Sequence, residues 1–165
     1  MSEIYKLNPA AIVVYPMYKG LAKLLGMKIF SVDGGIQEEL KVLASCFDRH
    51  DFFYVHVKQA DSAGEDGDFL RKLRIIEEVD SALPQLLNLK PDVIVVTGDH
   101  STPAMLKGHS WHPVPVMIYS QWCRPDKVEK FSESTCIYGG LGRIHATDIM
   151  PLAMANALKL TKFGA

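Results

Sequence analysis

Short apolar runs alternate with longer segments of helical periodicity, and this alternation most constrains the fold. Strands are predicted at residues 10–15, 52–58 and 114–119, where apolar, aromatic or β-branched residues follow one another. The run at residues 92–98, DVIVVTG, is the kind of continuous apolar strand that parallel sheets bury on both faces. The alternation therefore predicts an α/β fold, a layered sandwich with a mainly parallel sheet.

Helices are predicted between these strands. Pro16 suits the first turn of a helix over residues 16–27. Apolar residues recur at helical spacing over residues 36–47, and again from residue 69 until Pro84. A last helix is predicted at residues 149–160.

Composition excludes several classes of protein. The chain has 165 residues, of which 48% are hydrophobic, and a net charge of −1, which indicates a single soluble domain over residues 1–165. The balance of charges gives no basic surface for nucleic acid. No apolar run is long enough to span a membrane, and the N-terminus lacks a signal-peptide pattern. Three widely spaced cysteines indicate no disulfide framework, so we expect a cytoplasmic protein.

Polar clusters begin where two of the predicted strands end. Asp61 follows one strand, and Asp99 and His100 follow another. Because ligands bind beyond the carboxyl ends of parallel strands, both clusters are expected at one edge of the sheet. Carboxylate with imidazole suits Zn²⁺ or Mn²⁺. The alternative is that Asp99 caps the next segment while His100 is a hydrogen-bonded loop residue.

Further candidates surround these positions. His109 and His112 lie in the segment GHSWH, where each is either a metal ligand or a solvated loop residue. Four carboxylates lie between residues 61 and 68, either around a divalent cation or in a solvated acidic loop. We expect Asp66 and Asp68 to cap the following helix and Asp61 to be the better-placed ligand. No phosphate loop or nucleophile elbow is present.

Four stretches together carry a resemblance over nearly the whole chain: IVVYPMYKGLAKLLGM, FFYVHVKQADSAGEDGDFLRKLRIIEEVD, VIVVTGDHSTPAMLKGHSWHPVPVMIYS and GGLGRIHATDIMPLAMANALKLTKFGA. In this order they resemble the archaeal-type, 2,3-bisphosphoglycerate-independent phosphoglycerate mutases of the alkaline phosphatase superfamily. The GDHSTP block, with the HS and PVPV elements after it, is the most specific part. The resemblance implies an alkaline phosphatase-like three-layer sandwich that corresponds to the C-terminal half of the family's catalytic domain and is incomplete relative to it.

The resemblance also implies two divalent metal ions, with Mn²⁺ expected ahead of Zn²⁺ or Mg²⁺. The first site matches Asp61, Glu65 and His109, and the second matches Asp99 and His100. His112 has no ligand role in the family pattern. Lys19, at the basic position of the family's YPMYRG motif, is expected to contact phosphate or carboxylate.

The chain departs from the family in two ways. Glu65 stands where the family has histidine, so the first site is either shifted towards harder cations or else weak or empty. The family's serine nucleophile belongs to an N-terminal part that this sequence does not contain, so no catalytic residue is assigned. We therefore expect this metal-binding portion, which would act on phosphoglycerate in glycolysis and gluconeogenesis, to be inactive alone.

The incomplete sheet is expected to expose an edge and apolar faces. We therefore expect this chain to associate either with a second copy of itself or with a complementary N-terminal chain. Two other functions stay open. One is a non-catalytic metal-binding or interaction protein derived from the fold. The other is a metal-dependent phosphohydrolase that uses a metal-bound water in place of serine.

Overall fold

The computed structural model describes residues 1–161 and divides the chain into two compact units. Unit 1 comprises Met1–Lys90 and Thr102–His109, and unit 2 comprises Pro91–Ser101 and the residues from Ser110 onward. The single domain expected over residues 1–165 stays a prediction, and its last four residues lie outside the described ones.

Unit 1 contains a parallel sheet of three strands. They are β1 (Pro9–Val13), β2 (Lys28–Phe30) and β3 (Phe52–His56), in the order β2-β1-β3. Ala10 pairs with Lys28 on one side and with Phe53 on the other. All five residues of the central strand β1 are buried. The predicted strands at residues 10–15 and 52–58 are confirmed, each slightly shorter than expected.

Helices cover both faces of this sheet. The helices of unit 1 are α1 (Ser2–Tyr5), α2 (Pro16–Leu24), α3 (Ile36–Cys46), α4 (Gln59–Asp66) and α5 (Phe69–Asn88). Because strand side chains alternate between faces, Ile12 packs with Leu40 of α3, whereas Val13 packs with Ala22 of α2. Unit 1 thus has three layers, and the predicted α/β fold with a parallel sheet is confirmed.

The sequence predicted that the helix α5 ends at Pro84, but this prediction is wrong. The helix continues through this proline to Asn88, although Pro84 cannot donate the backbone hydrogen bond of a helix interior. Ala82 is fully buried before the proline, and Leu86 packs against the same core after it. Burial on both sides of Pro84 offsets the lost hydrogen bond.

Unit 2 contains a strand pair, β4 (Val93–Thr97) and β5 (Val116–Ser120), which is antiparallel and pairs Val95 with Ile118. The expectation that β4 is buried on both faces is wrong, because Ile94 is the one buried residue of this strand and the other four are partly or fully exposed. Its helices are α6 (Glu133–Cys136) and α7 (Ile149–Asn156), and α7 ends earlier than predicted. Within residues 1–161, no helix has the length and apolar character needed to cross a membrane.

Candidate metal centre

The helix α4 begins just after β3 and presents two carboxylates on one face. β3 ends at His56, and Lys58 is the N-cap residue of α4. Asp61 and Glu65 are four residues apart on this helix, a spacing that places side chains on adjacent turns of the same face. Most of the acidic segment thus belongs to a helix and not to the solvated loop that the sequence also allowed. Gly67 ends this helix in a left-handed conformation with φ 75°.

Lys58 forms ion pairs with both carboxylates of this face. Its Nζ donates a hydrogen bond to Asp61 Oδ2 and lies 3.6 Å from Glu65 Oε2. The side chains of Lys58 and Asp61 are only 22% and 15% exposed. Nζ also lies 5.0 Å from the ring centroid of Tyr15, within cation–π range. The hydrogen bond to Asp61 raises the pKa of Lys58 and favours its ammonium form.

His109 approaches the other oxygen of each carboxylate. Its Nε2 is 3.6 Å from Asp61 Oδ1 and 3.6 Å from Glu65 Oε1. The His109 side chain is about half exposed, whereas Asp61 is mostly buried. One imidazole nitrogen of unit 1 therefore lies close to an oxygen of each of the two carboxylates.

Thr102 is a hydrogen-bond partner of Asp61. It is 3% exposed, and its hydroxyl donates a hydrogen bond to Asp61 Oδ1. Its carbonyl oxygen accepts a hydrogen bond of 2.5 Å from Lys72 Nζ. A Cβ on Gly64 would overlap that carbonyl oxygen, so α4 lies this close to Thr102 only with glycine at this position.

The donor set fits a divalent cation. Ligands about 2.1 Å from a metal, at tetrahedral or octahedral angles, lie about 3.0–3.4 Å from one another. The separation of 3.6 Å between His109 Nε2 and each carboxylate oxygen is slightly above this range, and the ligand atoms of Asp61 and His109 lie within 4.8 Å of each other. Two oxygens with one imidazole nitrogen suit Mn²⁺ or Zn²⁺, and the oxygens also suit Mg²⁺.

The other candidate pair lies in unit 2. His100 Nε2 is 3.4 Å from Asp99 Oδ2, and Asp99 Oδ1 accepts a hydrogen bond of 3.2 Å from the His100 backbone N–H. Both side chains are partly exposed. His112 Nδ1 is 2.8 Å from Ser110 Oγ, and its ring stacks on Trp111 at 5.0 Å.

The remaining predicted residues have different surroundings. Asp68 is the N-cap of α5, because its side chain accepts a 2.9 Å hydrogen bond from the backbone N–H of Arg71. The prediction that Asp66 caps this helix is wrong, because its carboxylate forms an ion pair with the guanidinium of Arg71, at 2.9 Å. Lys19 lies in α2 and is half-buried.

Sequence reasoning missed Lys58 and Thr102. Lys58 precedes Asp61 by three residues, a helical spacing that offered a signal once α4 was recognised as a helix. Thr102 lies 41 residues from Asp61, and no local pattern connects the two.

Comparison with protein families gives a match to the metalloenzyme superfamily over residues 1–156. A probable 2,3-bisphosphoglycerate-independent phosphoglycerate mutase of Thermosipho africanus is 54% identical over 163 residues, which cover 99% of this chain and 40% of the relative. A protein of the same description from Thermus thermophilus is 49% identical over 168 residues, covering 100% of this chain and 41% of the relative. The chain thus spans about 40% of the length of these relatives.

Solved structures give the same assignment. The PH0037 protein from Pyrococcus horikoshii superimposes with a TM-score of 0.93 at 32% identity, over 99% of this chain and 53% of that one. The cofactor-independent phosphoglycerate mutase from Thermoplasma acidophilum superimposes with a TM-score of 0.76 at 28% identity. This match covers 94% of this chain and 38% of the mutase chain. The chain therefore belongs to the metalloenzyme superfamily and matches a part of its phosphoglycerate mutases.

Proposed function

We propose that this chain is the C-terminal, metal-binding portion of a 2,3-bisphosphoglycerate-independent phosphoglycerate mutase. Completed by the remaining length of its relatives, it would interconvert 3- and 2-phosphoglycerate in glycolysis and gluconeogenesis, in the cytoplasm. Identities of 49–54% to proteins with that description support the reaction. The observation that carries the proposal is the approach of His109 Nε2 to one oxygen of Asp61 and one of Glu65, at 3.6 Å each.

In this proposal the residues of unit 1 hold one divalent cation and those of unit 2 contribute to a second. Asp61, Glu65 and His109 supply the ligands of the first, and Thr102 orients Asp61. Asp99 and His100 supply ligands to the second. Bound divalent cations lower the pKa of an attacking hydroxyl and offset charge on a transferring phosphoryl group. Lys19 would contact the phosphate or carboxylate of phosphoglycerate.

Mn²⁺ is the proposed metal because the first site contributes two carboxylates and one imidazole. Glu65 supplies oxygen where the family pattern has histidine, which favours harder cations than a nitrogen-rich site would. Replacing Glu65 with histidine should shift the preference towards Zn²⁺. Titration of each purified variant with Mn²⁺ and Zn²⁺ measures this shift.

The rest of the relatives' length is the proposed occupant of two exposed apolar stripes. Met17, Leu21 and Leu24 lie on one face of α2, and Phe69, Leu73 and Ile76 lie on one face of α5, all of them exposed. Apolar stripes of this kind mark interaction surfaces. A relative is about two and a half times as long as this chain, so most of its residues are available to cover them.

Complementation tests both the partner and the reaction. A chain that carries the remaining part of the Thermosipho relative should co-elute with this chain and restore mutase turnover with Mn²⁺. Leu21→Lys and Leu73→Lys together should weaken co-elution, whereas Lys41→Met on exposed α3 surface should not. Turnover by this chain alone would contradict the need for the partner. Co-elution without turnover under any metal would favour a non-catalytic binding protein, and self-association unaffected by the partner would point to a homo-oligomer.

A further inference from the structure

The two carboxylates of α4 divide their oxygens between two neighbours. Asp61 directs Oδ2 to Lys58 and Oδ1 to His109. Glu65 directs Oε2 to Lys58 and Oε1 to His109, at 3.6 Å each. In both residues, one oxygen faces the ammonium and the other faces the imidazole, and Asp61 Oδ1 also accepts the neutral hydrogen bond of the Thr102 hydroxyl.

This division limits how the carboxylates can bind a cation. A carboxylate binds a metal through one oxygen or, as is common for Ca²⁺, through both. An oxygen that accepts from an ammonium is occupied by a charge-assisted hydrogen bond or ion pair, which is stronger than a neutral one. The pair to Asp61 is mostly shielded from solvent, since that side chain is 15% exposed.

Lys58 also contacts an aromatic ring. Its Nζ lies 5.0 Å from the centroid of the Tyr15 ring, so the ammonium has a cation–π partner in addition to the carboxylates. The ammonium orients Asp61 through a hydrogen bond and attracts Glu65 Oε2 from 3.6 Å. In this arrangement Asp61 Oδ1 and Glu65 Oε1 face His109.

We propose that Lys58 is a specificity-determining residue that restricts Asp61 and Glu65 to one-oxygen coordination and so selects small cations such as Mn²⁺ over Ca²⁺. This inference rests on the proposed metal-binding function of Asp61, Glu65 and His109. Mn²⁺, Zn²⁺ and Mg²⁺ accept few ligands at short distances, whereas Ca²⁺ takes six to eight oxygens and gains from two-oxygen carboxylates. Freed from Lys58, both carboxylates can offer their second oxygen to Ca²⁺.

The test compares the Kd values of Mn²⁺ and Ca²⁺, measured by calorimetric titration of the full chain. The Lys58 ammonium repels Mn²⁺ and Ca²⁺ equally, because both cations carry two charges. The ratio of their two Kd values therefore reports the mode of carboxylate coordination and not this repulsion. We expect Lys58→Met to lower the ratio of the Ca²⁺ Kd to the Mn²⁺ Kd by about tenfold. Lys58→Arg, which keeps the charge and the donors, should retain most of the ratio.

Lys41→Met is the matched control, because among residues 1–161 the ion pair of Lys41 is an exposed one with Glu38, at 3.5 Å. It should leave the ratio unchanged. Circular dichroism confirms folding, and Lys58→Gln replaces Lys58→Met if the latter does not fold. An unchanged ratio in the folded Lys58 variant overturns the inference. Mn²⁺ binding that is equally tight in wild type and His109→Ala overturns the proposed function instead, which keeps the two failures distinct.

Discussion

The hydroxyl of Thr102 donates a hydrogen bond to Asp61 Oδ1, although 41 residues separate them in the sequence. Thr102 is 3% exposed, so this bond is shielded from water. Hydrogen-bond partners of metal ligands hold the ligand's orientation and are often worth ten- to a hundred-fold in metal affinity. Thr102 thereby connects the GDHSTP segment to the carboxylate on α4.

Replacing Thr102 with valine should weaken Mn²⁺ binding by about tenfold, because valine has the same shape but cannot donate to Asp61. Thr102→Ser keeps the hydroxyl and should bind nearly as wild type does. Isothermal titration with Mn²⁺ measures both. Equal losses in the valine and serine variants would assign the effect to packing instead of to the hydrogen bond.

Gly64→Ala should destabilise unit 1 by about 1–3 kcal/mol, since the new Cβ overlaps the carbonyl oxygen of Thr102. The matched control is Gly20→Ala in α2, where a Cβ meets no atom within 4 Å. That control should be neutral or stabilise the helix by up to about 1 kcal/mol. Urea unfolding gives both free energies. A Gly64→Ala protein as stable as Gly20→Ala would show that α4 can move away from Thr102.

Glu39 should make the free energy of unfolding depend on pH. Its side chain is fully buried, neither carboxylate oxygen has a hydrogen-bond partner among the described residues, and burial raises its pKa from 4.5 to about 7. Between these two values the unfolded chain releases the proton while the folded chain keeps it. Stability from this group is therefore complete below pH 4.5, falls as pH rises to about 7, and is constant above that.

The expected loss between pH 4.5 and pH 7 is about 3 kcal/mol. Glu39→Gln does not ionise, and subtracting its unfolding free energy from that of the wild type removes contributions from the histidines. Urea unfolding at pH 5 and pH 7.5 measures the difference. A difference that stays constant across this range would mean that Glu39 is ionised in the folded chain at pH 5.

Local patterns predicted β1, α2, α3, β3 and the start of α5, because their core positions follow a helical or strand period, whereas the short elements α1 and β2 and the helix α4 were not predicted. Residues such as Ile12, Leu40 and Leu43 are both periodic in the sequence and buried in the structure. The passage of α5 through Pro84 was not predictable in this way, because burial of Ala82 and Leu86 offsets the local preference of proline. Pairing direction likewise depends on distant residues, so the antiparallel pairing of β4 with β5 was missed.

The acidic candidates of the first site were identified by type and position, and the structure brings Asp61, Glu65 and His109 together. The segment around them was harder to predict, since its glycines and acids are typical of a loop. Glycine occurs within α4 because a Cβ at position 64 would overlap the carbonyl oxygen of Thr102, a reason that no local pattern contains. Lys58 was not predicted because metal sites are recognised by their acids and imidazoles, whereas an ammonium that pairs with those acids is not itself a metal ligand.

Titration of the chain with Mn²⁺, in parallel for wild type, Asp61→Asn, His109→Ala and Asp66→Asn, tests most directly whether Asp61, Glu65 and His109 bind metal. Asp66 is the matched control, because it lies on the same helix but pairs with Arg71. We predict that Asp61→Asn and His109→Ala each weaken one Mn²⁺ site by more than about tenfold, while Asp66→Asn has no effect. Mn²⁺ binding that is unchanged in Asp61→Asn and His109→Ala would contradict the proposed metal centre.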